Sequence, residues 1–229
     1  MAKRFYKSVS TQEKEGQFHI LLDERVLKTP GKKPFSLPTS ALAHEVAKEW
    51  DAQTEQIEPA KMPLTRLLNV ALEQTPTRRP DLLDEARRYT STDLLCYRAP
   101  NPRILVERQS KGWDEWLAWA KTKGVDLIST QSLIATVQPE RSYDAVTAYA
   151  DGFDDIHLTL FLHFIAIFGS VVLAMAVMES QLSSGEAFDL SRLDIAYQNE
   201  LWGEDEEAAE IANDLRRETV RLGEILELM

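Results

Sequence analysis

Ile156-His157-Leu158-Thr159-Leu160-Phe161-Leu162-His163-Phe164-Ile165-Ala166-Ile167-Phe168-Gly169-Ser170-Val171-Val172-Leu173-Ala174-Met175-Ala176-Val177-Met178 is a run of 23 residues without Asp, Glu, Lys or Arg. Its reading decides the fold. The run is long enough to span a bilayer. Against spanning, it holds two histidines and carries Gly169-Ser170 near its middle. Asp154, Asp155 and Glu179 flank it, with no basic bias on either side. The centre at residues 166–170 suits a joint between two short helices buried all round. A core helix or helix pair is expected, with no stable membrane insertion.

Outward from that run the chain changes character. All ten prolines lie at or before Pro139, so a turn-rich beginning gives way to a helix-rich remainder. Arg4 to Val9 and Gln17 to Leu22 are runs of strand formers, and Arg25 to Lys28 could return after a turn at Asp23-Glu24. Thr29 to Pro34 is loop, and Phe35-Ser36-Leu37 reads as an edge strand. Thr39 or Ser40 can cap a helix carrying Leu42, Val46 and Trp50 at four-residue spacing, which would bury Trp50. Further helices are expected over Pro63 to Gln74, Pro80 to Tyr97 with Pro80 at the first position, Pro102 to Lys123 and Ser142 to Gly152. After the apolar run come Ser184 to Leu201, behind the capping-box pair Ser183 and Glu186, and Glu204 to Leu228. Asp126 to Val137 reads as an extended connector. The expected class is α+β: a small N-terminal β-rich α/β domain, residues 1–60, followed by a larger all-helical domain, residues 61–229.

Composition narrows the function classes. A formal charge of −11 excludes the basic footprint of a nucleic-acid binder. The single cysteine, Cys96, rules out an internal disulfide framework and fits a reducing compartment. No secretory h-region follows Met1, so the cytoplasm is the expected location. The search for chemistry is nearly empty. The glycines show no phosphate-loop spacing, and His44-Glu45 meets Lys48 where a zinc helix needs its second histidine. No cofactor and no metal site is expected. Cys96 sits between apolar neighbours and reads as a small core residue, although an enzyme site assembled around it from distant residues is the alternative. Trp113, Trp116 and Trp119 follow one side of a helix and suit a core or a domain seam.

From Glu200 to Glu210 there are six carboxylates (Glu200, Glu204, Asp205, Glu206, Glu207, Glu210), one large aromatic, Trp202, and no Lys or Arg. Two readings stand side by side. Carboxylates at a helix start are stabilised by the macrodipole, and Ala208, Ile211, Leu215, Leu222 and Leu226 would form the apolar face of that helix. The same patch suits a basic partner surface.

Four segments taken together are more specific than any one of them: Glu49-Trp50-Asp51-Ala52-Gln53, Met62-Pro63-Leu64-Thr65 with Asn69, Thr92-Asp93-Leu94-Leu95-Cys96-Tyr97-Arg98-Ala99, and Tyr197-Gln198 leading into Trp202-Gly203 and Glu206. In this order and spacing the chain resembles the F1-ATPase assembly chaperone family, known as ATP synthase F1 complex assembly factor 2. The resemblance implies a non-enzymatic protein that binds the newly made α subunit of F1 before it meets β. It also implies that the acidic position after Trp202-Gly203 contacts the partner, with Glu206 the closest match within Glu204, Asp205, Glu206 and Glu207, and that Trp50 is needed. The direct start at the first strand resembles the bacterial, cytoplasmic branch; a mitochondrial matrix location applies if a leader was removed.

Overall fold

Two tight turns organise the N-terminal sheet. Glu15 and Gly16 both take positive φ, 56° and 75°, the backbone that matches strand twist in a two-residue hairpin. They join β2 (Val9–Lys14) to β3 (Gln17–Leu22). Asp23, at φ 55°, then turns the chain into β4 (Arg25–Val26). Farther along β3, Phe18 and His19 pair with β5 (Ser36–Leu37). β1 (Ala2–Lys3) forms a separate antiparallel pair with β6 (Gln56–Ile57).

The strand expected over Arg4 to Val9 does not form. Asp23 Oδ1 accepts from the backbone N–H of both Lys7 and Ser8, at 2.9 Å each, so these donors leave the ladder. Those bonds, Ser8 first, hold the Asp23 carboxyl below its usual range. The real first strand of the sheet, Val9–Lys14, is mostly polar and exposed, which is why residue type does not announce it.

α1 (Ser40–Asp51) packs across β2, β3 and β5. Thr39 caps it, its hydroxyl accepting from Leu42 N–H at 3.2 Å and donating to the Leu228 carbonyl at 2.6 Å. The buried stripe runs through Leu42, Val46 and Glu49, with Trp50 only half buried. Seven residues at 3.6 per turn return to the same face, whereas eight overshoot it by about 80°. Glu49 therefore occupies the core position expected for Trp50. Its carboxylate meets the start of α2 (Pro63–Glu73), accepting from Leu64 N–H at 2.9 Å, Thr65 N–H at 2.8 Å and Thr65 Oγ1 at 2.7 Å. Three donors on one carboxylate satisfy helix-end groups that would otherwise be stranded in the core.

α3 (Thr75–Ser91) begins a turn before Pro80, because Arg78 N–H already reaches the Gln74 carbonyl at 3.0 Å. Pro76 occupies the first turn, where a missing N–H costs nothing, and Pro80 lies inside the helix rather than at its first position. The expected continuation to Tyr97 stops at Ser91, where Asp93 caps a short 3-10 turn over Leu94–Cys96. α4 (Arg103–Thr122) and α5 (Glu140–Asp151) follow as expected.

The apolar run is a helix pair. α6 (Asp155–Phe168) ends at Gly169, whose φ of 63° requires glycine, and α7 (Val171–Met178) starts behind Ser170. Among the described residues no helix is long and apolar enough to cross a membrane. Every residue from Val171 to Val177 is at most 2% exposed, because α7 packs against α4, α6 and α8 (Ser184–Ser191). The expected single helix over Ser184 to Leu201 breaks at Arg192 into α8 and α9 (Leu193–Trp202). Trp113 Nε1–H takes the Leu190 carbonyl at 3.0 Å, the acceptor a continuous helix would give to Asp194. α10 (Glu206–Gly223) then runs into a 3-10 turn at Glu224–Leu228.

The structure, a computed structural model, describes residues 2–132, 134 and 136–229. It resolves into two compact units, Met1–Arg78 with Glu224–Met229, and Arg79–Gly223. The first extends past residue 60 because α2 packs on α1. An N-terminal β-rich region followed by helices is the α+β class expected.

Asp93 anchors the helix pair. It is wholly buried, and its carboxylate accepts from Ser170 Oγ at 2.9 Å, Val172 N–H at 3.1 Å and Leu95 N–H at 3.0 Å. Burial pushes its carboxyl up from 3.8 to about 6, against those donors. Asp93→Asn sets an amide N–H against donors already aimed at the site. It is expected to cost about 2–4 kcal/mol, read as a melting temperature lower by roughly 5–15 °C. Because the folded carboxyl titrates above its unfolded value, the proton-linked part of the group's contribution is fully present below pH 3.8 and is lost as pH rises through about 6. Urea melts should therefore show the wild-type advantage over Asp93→Asn growing as the solution is acidified across that window. A constant advantage would contradict it.

Candidate functional site

The corner between α9 and α10 is built by two local rules. Gly203 ends α9, its N–H reaching the Asn199 carbonyl at 2.9 Å and its φ of 88° lying where only glycine is unstrained. Asp205 then starts α10. Its Oδ1 accepts from Ala208 N–H at 2.8 Å and its carbonyl from Ala209 N–H at 2.9 Å. The cap of this helix is thus Asp205, which leaves Glu206 and Glu207 in the first turn without a capping duty.

The second half of α10 is what holds the corner. Arg216 forks onto Asp189 of α8 with two bonds of 2.8 Å. Gly223 approaches α8 so closely that a Cβ there would lie 2.6 Å from Ser184 Cβ. Thr219 and Leu222 are buried. The first half has no such support: Glu206, Glu207, Ala208, Glu210, Ile211 and Ala212 are all exposed. The apolar face expected from Ala208 to Leu226 is therefore real only from Leu215 onward, because packing against α8 begins there.

Exposed apolar groups gather at this corner. Trp202 is 77% exposed, Ile211 62% and Leu201 55%. Large apolar side chains left in water on one short stretch of chain mark an interaction surface more often than chance decoration. Around them stand the carboxylates. Arg108 of α4 pairs with Glu200 at 2.7 Å and holds that carboxyl below its usual range. Glu204, Glu206, Glu207 and Glu210 have no ion-pair partner among the described residues. The structure thus brings Trp202, Glu204, Asp205, Glu206 and Glu207 into one exposed acidic and apolar surface.

Trp50 belongs to the first unit. Its ring lies 5.8 Å from Tyr6, whose hydroxyl donates to the Trp50 carbonyl at 2.6 Å. Cys96 is 1% exposed, and burial, with the Asp93 charge adding, pushes its thiol far above the range in which a thiolate forms. That environment is the reverse of a nucleophile's. Among the described residues no group of three His, Cys, Asp or Glu side chains is placed to hold a metal ion.

A model of the ATP12 chaperone protein family matches residues 3–121, over half of the chain. The chain belongs to that family. The matched span contains Trp50, Glu49 and Asp93 and stops short of the acidic corner. Whole-chain likeness supplies the remainder. The crystal structure of Atp12 from Paracoccus denitrificans superposes with a TM-score of 0.92 at 37% identity, covering 99% of this chain and 98% of that one. A putative chaperone from Agrobacterium tumefaciens gives the same TM-score at 38% identity, over 99% and 85% of the two chains. The mitochondrial protein atp12 of Schizosaccharomyces pombe is 25% identical over 225 residues, 93% of this chain and 77% of that one.

Sequence reasoning passed over the structural role of Glu49 and Asp93, which join helix starts in two of the segments that carry the family resemblance. A signal was present for the first: a carboxylate seven residues after Leu42, on the apolar stripe, calls for buried donors. For the corner, the separation of roles is testable by stability alone. Asp205→Ala should cost about 1 kcal/mol and speed amide exchange at Ala208 and Ala209. Glu206→Gln should leave the unfolding free energy from urea melts within about 0.5 kcal/mol of wild type. Equal losses for both would return Glu206 to a structural role.

Proposed function

We propose that this chaperone binds the unassembled α subunit of F1-ATPase and shields its interface until it pairs with β. The observation that carries the reading is the α9–α10 corner. Trp202, Leu201 and Ile211 stand in water beside carboxylates that no side chain of the described residues neutralises. An unassembled subunit exposes interface surface that is normally buried and is prone to aggregate. Covering such a patch needs apolar contact area and charge of opposite sign to its Lys and Arg, and no chemistry.

Each group has a part in that contact. Trp202 supplies the large, rigid apolar area typical of binding hot spots. Glu206, with Glu204 and Glu207, steers encounter and sets register, adding less to raw affinity. Asp205 positions them as the cap of α10. Trp50 enters as a second contact because the residue is only partly buried beside Tyr6. Trp50→Phe keeps the packing on Tyr6 and so separates contact from stability. Moderate affinity suits the task, since the client has to be released to β.

Size-exclusion co-elution of the full chain with isolated α, and separately with isolated β, tests the reading. A complex with α, together with delayed α aggregation, is expected. Glu206→Lys should weaken that complex about tenfold or more with the melt unchanged, the loss being smaller at high salt. No complex with folded, monodisperse α, or equal complexes with both subunits, would refute it.

A further inference from the structure

A groove of about 600 Å³ runs between α4, α8 and α9, wholly within the helical unit. Trp116, Leu182, Leu190, Leu193 and Ala196 give it an apolar lining. Its walls are tied before anything enters. Trp113 Nε1–H holds the Leu190 carbonyl, and the buried Gln109 amide donates to Asp194 at 2.8 Å, so α4 fixes both α8 and α9. Gly112 completes the fit, since a Cβ there would lie 3.1 Å from Leu193 Cδ1. A groove held open in this way loses little entropy on binding.

Two further features point to the occupant. The first is charge. Arg108 pairs with Glu200 and Asp189 with Arg216, which leaves Glu115 and Glu186 as the lining carboxylates without an ion pair among the described residues. The second is continuity. Leu193, Ala196 and Glu200 follow one side of α9 at spacings of three and four. They lead from the groove towards Trp202 and the acidic corner. At the other end the Asp189–Arg216 fork joins the groove to α10.

We infer that the groove is a second docking site for the same client. It would take a segment of the α subunit that presents a bulky apolar side chain flanked by Lys or Arg. The inference rests on the reading of the protein as an α-subunit chaperone. The acidic corner would set register while the groove seats the anchor residue, the division of labour found at interfaces with a desolvated pocket and a charged rim.

The test uses full-length protein and isolated F1 α subunit, with Kd and suppression of α aggregation as readouts. Ala196→Trp fills the groove from an exposed helix position, and Glu115→Lys reverses its unpaired charge on an exposed face, so both should melt like wild type. Each is expected to weaken α binding about tenfold or more. Hydrogen exchange in the wild-type complex should slow across residues 182–196. Wild-type affinity in both folded variants, with no protection at 182–196, overturns the groove while leaving the chaperone reading intact. Failure of wild type itself to bind α overturns both, and the wild-type arm alone reveals it. Self-association that disappears in Ala196→Trp, with α binding unaffected, would assign the groove to a second copy and also overturn the proposal.

Discussion

One buried carboxylate makes the helical unit possible. A helix as apolar as α7 can lie in the core only if its terminal backbone groups find partners there, since each stranded donor costs as much as a lost hydrogen bond or more. Asp93 and Ser170 supply those partners together. Asp93 receives Val172 N–H and the Ser170 hydroxyl, Ser170 Oγ receives Leu173 N–H at 3.1 Å, and Leu94 N–H closes on the Gly169 carbonyl at 2.9 Å. The network is small, closed and buried. With it in place, Val171 to Val177 can be surrounded by α4, α6 and α8.

The first unit uses the same device. Glu49 points from α1 into the start of α2 and satisfies Leu64 and Thr65, much as Asp93 does for α7. In both places a carboxylate replaces the solvent that a helix end would otherwise need. Segments that carry the family resemblance, Glu49-Trp50-Asp51 and Thr92-Asp93-Leu94, contain these two anchors. They are read most directly as devices for building the scaffold. The exposed carboxylates sit elsewhere, on the start of α10.

That separation suits a protein whose task is binding. The rigid part, α4 to α8, is closed by apolar burial and capped helix ends. The acidic corner is attached to it through Arg216–Asp189, Gly223 on Ser184, and Arg108–Glu200. Its own first two turns have little to pack against, so Ile211 and Trp202 remain in water. Asp205 and Glu206, adjacent in sequence, thus divide into a cap and a charge without an ion-pair partner among the described residues.

By itself the sequence determined what local chemistry dictates. The charge-free run had to be buried and had to bend at Gly169-Ser170; Ser183 and Glu186 had to cap a helix; and the proline-rich start had to hold the strands. The acidic patch was legible too, since six carboxylates without a cation are plain in one dimension. What only the tertiary structure decided depends on distant partners. Val9–Lys14 became a strand because β3 was there to pair with it, and Arg4 to Val9 did not because Asp23 took its donors. Helix α8 ended where Trp113 claimed the Leu190 carbonyl. Trp50 lost its core position to Glu49 because the start of α2 needed an acceptor. The groove exists only where three helices separated in sequence are tied together. Local patterns set which backbone groups and faces must be satisfied; the fold alone decides which remote side chain satisfies them, and which are left in water.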